Sequence, residues 1–225
     1  SLCCLFITLK LKKMPSVPLA DLSLQKQPFL SREALPPAII AFLITITWGA
    51  LTAFFPLYAL IQGVDNPGIF FAAFAITLIL VRSLGGKILD IYPREKIILP
   101  CLFNLIISMA ILAFSTTLTM FILVAIIWGM GTAFLYPALV AYTIDRAGSS
   151  RGPAMGTFTA LTDLGAGMGA VIMGIILQLT NYPIMFFCLA LTGVINLLYF
   201  YFAVRKKPQG LSSPIEGGPA CRRQG

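Results

Sequence analysis

The sequence predicts an all-α membrane protein, six transmembrane helices arranged as two inverted three-helix repeats, and three observations predict it. The first is composition: 58% of the 225 residues are hydrophobic and 11% are charged, with a mean hydropathy of +0.92. A soluble domain carries about 25% charged residues. The second is that six long apolar runs recur, at 37–61, 69–89, 97–114, 118–144, 155–179 and 184–204. Each reaches or approaches the roughly 20 residues a helix needs to cross ~30 Å of hydrocarbon, and the ~10-residue alternating segments of a β-barrel are not visible. The third is where the cations fall. Of the 16 Lys and Arg, all but Arg82 lie on one side of a six-span zigzag, and the opposite loops at 62–68, 115–117 and 181–183 hold none. Cytoplasmic loops carry such an excess, so a multi-pass protein of the plasma membrane with both termini in the cytoplasm is expected. The net charge of +8 is then topological. The expected partner is the lipid bilayer, and no nucleic acid is expected.

Taken in order, the chain opens on a short apolar stretch, 1–9, that reads as the stub of a preceding helix; a short interfacial anchor or a start at Met14 is the alternative. Residues 10–35 begin with Lys10, Lys12 and Lys13 and contain Pro15, Pro18 and Pro28, the composition of a cytoplasmic linker. The bundle runs over 36–205, and 206–225 reads as a disordered cytoplasmic tail. Within the bundle, Pro56 interrupts the first span near its outer third and Pro137 the fourth near its inner third. Each frees a backbone carbonyl, which a membrane tolerates where the site packs on protein or lines a wet cavity. The fifth span is rich in small residues, with Gly165-xxx-Gly169 and Ala166-xxx-Ala170 allowing close approach of another helix. Its partner is expected in a missing half or a second protomer, with tight packing inside the bundle as the alternative.

The repeat is carried by residues. Trp48-Gly-Ala-Leu-Thr52-Ala-Phe54 in the first span and Trp128-Gly-Met-Gly-Thr132-Ala-Phe134 in the fourth agree at five of seven positions at an offset of 80. At the same offset Leu84-Gly85 falls on Leu164-Gly165. Three spans separate equivalent helices, so the two copies run in opposite directions across the membrane.

Functional chemistry is narrowed by what is missing. There is no histidine, which removes imidazole catalysis and most haem or zinc sites. The five cysteines (Cys3, Cys4, Cys101, Cys188, Cys221) have neither metal-ligand spacing nor an extracellular pairing pattern. No metal, no cofactor and no enzymatic activity is expected. Of the eight acids only Asp163 is deep, some ten residues or ~15 Å into the fifth span. Arg82 is about eight residues or ~12 Å from the cytoplasmic end of the second span. An unpaired charge at such depth costs several kcal/mol, so the two either pair or face a water-filled cavity. The first case is a structural ion pair; the second is a titratable or substrate-binding site.

The corner between the second and third spans holds Lys87, Asp90, Arg94, Glu95 and Lys96. Asp90 is placed to accept hydrogen bonds from a neighbouring helix N-terminus, and Arg94 to pair with Asp145 at the end of the fourth span. Gly86-Lys-Ile-Leu-Asp90-Ile-Tyr-Pro-Arg94-Glu-Lys96 resembles the cytoplasmic signature loop of the major facilitator superfamily, Gly-x-x-x-Asp-basic-x-Gly-basic-basic. Gly86, Asp90 and Arg94 match, whereas Ile91, Pro93 and Glu95 depart from the pattern. The resemblance covers about 32–205 and is closest to the carboxy-terminal half of sugar and drug efflux permeases.

That resemblance implies a secondary transporter working by alternating access, ion- or proton-coupled, with a small-molecule substrate held between two six-helix halves, the amino-terminal one missing. It implies that the first, second, fourth and fifth spans line the cavity, with Trp48, Thr52, Trp128, Thr132, Tyr136 and Asp163 as cavity candidates; Arg82 joins them as a substrate or coupling candidate by its depth and charge. Gly86, Asp90, Arg94, Lys96 and Asp145 would form the gating corner. The alternatives are a six-span homodimeric channel or carrier, and a truncated membrane protein that transports nothing.

Overall fold

The computed structural model describes residues 32, 34–85, 94–148 and 150–204. The expected stub, most of the linker, the tail, Gly86 and Asp90 lie outside the described residues. Six helices follow one another, α1 Leu35–Ile61, α2 Gly68–Gly85, α3 Arg94–Phe114, α4 Leu118–Ala147, α5 Arg151–Leu179 and α6 Tyr182–Tyr199. The last runs on into a π-helical turn, Phe200–Val204. All six are long and apolar enough to cross a membrane.

Local chemistry explains where the helices begin and turn. Two prolines, Pro36 and Pro37, open α1, where their missing N–H groups have no helical acceptor to lose. Thr117 caps α4 by accepting from the Met120 N–H, and Asn181 caps α6 by accepting from the Ile184 N–H at 3.1 Å. The α4–α5 turn passes through Gly148 at φ 53° and the α1–α2 turn through Gly63 at φ 79°, a backbone region that favours glycine.

Successive helices run antiparallel. At one end, Tyr58 near the close of α1 donates its hydroxyl to the Ser115 carbonyl between α3 and α4, at 2.7 Å, and its ring lies 5.2 Å from that of Tyr182 at the start of α6. At the opposite end Ala34, Ala147 and Ala154 form a small buried cluster joining α1, α4 and α5. The loops at 62–67, 115–117 and 180–181 therefore share one end of the bundle.

Packing follows the repeat. Helix α1, first of the first triplet, packs most extensively on α5, the middle helix of the second; α4 packs on α2, the middle helix of the first. Helices α3 and α6 pack on each other and on the first helix of the opposite triplet. Two asparagines tie this exchange together: Asn104 Nδ2 on α3 donates to the Ile127 carbonyl of α4 at 2.7 Å, and Asn196 Nδ2 on α6 to the Ile40 carbonyl of α1 at 3.1 Å. Polar side chains inside a lipid-bound bundle need such internal partners. Thr45, Thr77, Thr143 and Thr162 find theirs on carbonyls of their own helix.

The closest helix pair corrects one expectation. Gly165 and Gly169 do not await a missing half: they face α1 inside this bundle. A Cβ at Gly169 would overlap the Ile46 carbonyl oxygen, and one at Gly49 the Ala166 carbonyl oxygen. Two backbones in such contact leave no room for side chains. On the other side of α5, Gly152, Gly156 and Gly167 have open space where a Cβ would stand.

Candidate functional site

Two helices are left largely uncovered. Only 17% of the most apolar stretch of α2 and 22% of that of α5 is buried, against 39% or more for the other four. These are the equivalent middle helices of the two triplets. The uncovered face of α2 presents Ile76, Ile79, Leu80 and Leu84, and that of α5 presents Leu164, Val171 and Ile175 alongside the open glycines.

An aromatic cluster stands where the two triplets meet. The equivalent tryptophans Trp48 and Trp128 stack on each other, ring centroids 5.2 Å apart, and Phe74 of α2 lies 4.5 Å from Trp128 and 5.6 Å from Trp48. Such pairs add about 0.5–1.5 kcal/mol each beyond the area they bury. The two indoles differ in exposure. Trp48 is 38% exposed, whereas Trp128 is 2% exposed and its Nε1–H has no partner among the described residues. Trp48 is thus the indole of the two that keeps part of its ring accessible. Trp128, expected as a cavity residue, is instead a core residue that supports it, because Phe70 and Phe74 of α2 pack over its ring.

Thr52 and Thr132 behave as the repeat requires. Each hydroxyl donates to the carbonyl of the tryptophan one turn earlier, at 2.9 Å, so its proton is engaged and only its oxygen is left to accept. Tyr136, one turn beyond Thr132, is 45% exposed and meets the Phe158 ring of α5 at 5.9 Å.

Arg82 and Asp163 do not pair. Asp163 lies on the uncovered face of α5, and no ion pair joins it to Arg82 among the described residues. Helix α2 packs on α4 while α5 packs chiefly on α1, so the two charges sit on helices anchored to different partners. Arg82, in the last described turn of α2, instead donates its Nε–H to the Ala133 carbonyl of α4 at 3.1 Å. The acceptor is no accident of proximity. Residue 137 is a proline inside α4; lacking an N–H, it leaves the carbonyl four residues back, that of Ala133, without its helical donor. A hydrogen bond from a charged donor contributes about 1.5–3 kcal/mol. Beside this contact lies a groove of about 510 Å³ lined by Arg82, Phe134, Tyr136, Pro137, Val140 and Ile144 among others.

At the corner, Lys96 is exposed in the first turn of α3, Asp145 is exposed near the end of α4, and Arg146 stacks its guanidinium over Tyr142 at 5.1 Å. The expected Arg94–Asp145 pair lies outside the described residues, since the side chain of Arg94 is not among them. No group of three or more metal-ligating side chains occurs among the described residues. Sequence reasoning missed Phe74, Asn104, Phe158 and Asn196. The Phe70–Phe74 spacing of one helical turn was the available signal for the first, and a lone amide inside an apolar run for the two asparagines.

Comparison with known proteins gives a consistent picture. A model of the Major Facilitator Superfamily matches residues 37–223. Staphylopine export protein of Staphylococcus aureus is 29% identical over 203 residues, covering 87% of this chain and 50% of the relative. An uncharacterized MFS-type transporter of Methanocaldococcus jannaschii is 26% identical over 166 residues, 72% of this chain and 43% of the relative. Multidrug resistance protein 2 of Bacillus subtilis is 31% identical over 112 residues, 48% of this chain and 28% of the relative. The chain spans at most about half the length of these relatives.

Proposed function

The chain belongs to the major facilitator superfamily, and from that membership we propose that it forms the carboxy-terminal six-helix half of a secondary active transporter. The whole protein would move a small molecule across the plasma membrane by alternating access, coupled to protons, with both ends of this half in the cytoplasm. It is a carrier and not an enzyme. One observation bears most of the weight: two triplets exchange their packing and leave the equivalent helices α2 and α5 largely uncovered, with Asp163 on the uncovered side of α5. Such uncovered helices suit packing against a second lobe, and the length of the relatives leaves room for one. Relatives named for export and for multidrug resistance favour outward movement of an organic molecule.

In this reading Asp163 is the proton-coupling group, Trp48, Thr52, Thr132 and Tyr136 face the substrate path, and Trp128 supports Trp48 from behind. Gly86, Asp90, Arg94, Lys96 and Asp145 latch the cytoplasmic face. Alternating access is tested in the full-length protein, free of native cysteines, by single substitutions Thr52→Cys and Tyr136→Cys. Membrane-impermeant maleimide should reach Thr52→Cys from outside and Tyr136→Cys from inside, with the two rates changing in opposite directions as pH is varied. Rates that rise and fall together would refute it. The same uncovered faces suit a homodimeric carrier made of two copies of this chain. Mass measurement of the purified chain in detergent separates the cases: a stable dimer supports the homodimer, a monomer the half-transporter.

A further inference from the structure

We propose that the groove beside Arg82 is a binding site for a singly charged organic anion with an apolar body, and that Pro137 builds the site by stranding the carbonyl that holds Arg82 in place. The inference rests on the carrier reading for its meaning in transport, but the site stands on its own geometry.

A guanidinium at the end of a long side chain loses much rotamer freedom when it binds a ligand. Here Nε is already tied to the Ala133 carbonyl at 3.1 Å, while the two terminal nitrogens have no protein acceptor among the described residues. Those nitrogens present the paired N–H geometry that a carboxylate matches with two parallel hydrogen bonds. The groove next to them has a volume of about 510 Å³, within the range of small-ligand sites. Its other walls, among them Phe134, Pro137, Val140 and Ile144, are apolar, and among the described residues Tyr136 is the one further lining residue with a polar side-chain group. Arg82 is the one cation lining the groove among the described residues, which suits a monoanion: a dianionic phosphate would leave a charge uncompensated against apolar walls. The apolar walls select a hydrophobic body over a sugar. Pro137 serves twice, as part of the wall and as the reason the Ala133 carbonyl is free.

The test uses the full-length protein in phosphatidylcholine nanodiscs, without native cysteines and carrying Ile144→Cys on the groove wall. The rate of maleimide modification is read with two probes sharing one apolar body, 1-pyrenebutyrate and 1-pyrenebutanol. The carboxylate should protect at concentrations at least about tenfold lower than the alcohol, the difference one charge-assisted contact supplies. Arg82→Gln should bring the two probes together, while Arg82→Lys, which keeps the charge but loses the fork, should retain part of the preference. Pro137→Ala restores an N–H to the Ala133 carbonyl and should narrow the preference although Arg82 is present. Equal protection by acid and alcohol in the parent, or a preference that survives Arg82→Gln in a monodisperse sample, overturns the site. A preference untouched by Pro137→Ala overturns the role of the stranded carbonyl. Protection without any probe in phosphatidylglycerol nanodiscs, absent in phosphatidylcholine, would assign the groove to a lipid and overturn the small-molecule ligand. Failure of reciprocal accessibility at Thr52 and Tyr136, with probe protection intact, would remove the carrier and leave the site.

Discussion

Asp163 carries the most functional weight in the proposed carrier, and the structure shows it exposed on α5. Its position deep in a span drew attention to it, and depth alone suggested an ion pair with Arg82. The structure separates the two charges because depth along the membrane says nothing about direction around a helix. Pro137 lies 55 residues beyond Arg82 in the chain, and only the fold brings the carbonyl it frees up to that guanidinium. In the full-length transporter Asp163→Asn is expected to abolish proton-coupled transport in proteoliposomes. Thermal stability of the same variant should stay within about 0.5 kcal/mol or rise, since no buried partner is left unpaired. Unchanged transport with unchanged pH dependence would reduce Asp163 to a surface residue. A loss of several kcal/mol would instead reveal a structural partner.

At the scale of the helix, α5 reads as one glycine-rich element in the sequence but has two faces in the structure. Gly165 and Gly169 are buried in a contact with α1 that no side chain fits, and Gly152, Gly156 and Gly167 lie open. Composition could say that something comes close; it could not say which side, because both faces are small. Gly169→Ala should lower stability by about 1–3 kcal/mol, the usual range for overpacking a well-packed core, measured as a drop in melting temperature in detergent. Gly167→Ala, made on the same helix half a turn away, should leave melting unchanged. If both variants melt alike, the α1–α5 contact is not as close as described. The corner between α2 and α3 belongs to this scale as well. Asp90→Ala should shift the balance between the reciprocal accessibilities of Thr52→Cys and Tyr136→Cys; no shift would refute its role as a latch.

At the scale of the whole molecule, most of the architecture was legible. Six apolar runs became six helices with nearly the expected limits, because membrane length leaves a spanning sequence little freedom. The repeat was legible through Trp48 and Trp128, and the fold brings these equivalents into contact where the two triplets cross. What the repeat concealed was their difference: both carry the same motif, yet Phe70 and Phe74 cover one ring and leave the other 38% exposed. Two copies of one motif placed about an axis share a fold without sharing surroundings. The mirror orientation of the triplets is therefore the claim from which the uncovered faces, the exchanged packing and the carrier reading all follow. Labelling of single cysteines with an impermeant maleimide, in right-side-out and inverted vesicles, tests it most directly. Substitutions at Asn66, Thr116 and Asn181 should react from one side of the membrane only, and those at Lys96 and Arg151 only from the other. Reaction of the Asn66 and Lys96 variants from the same side would contradict it.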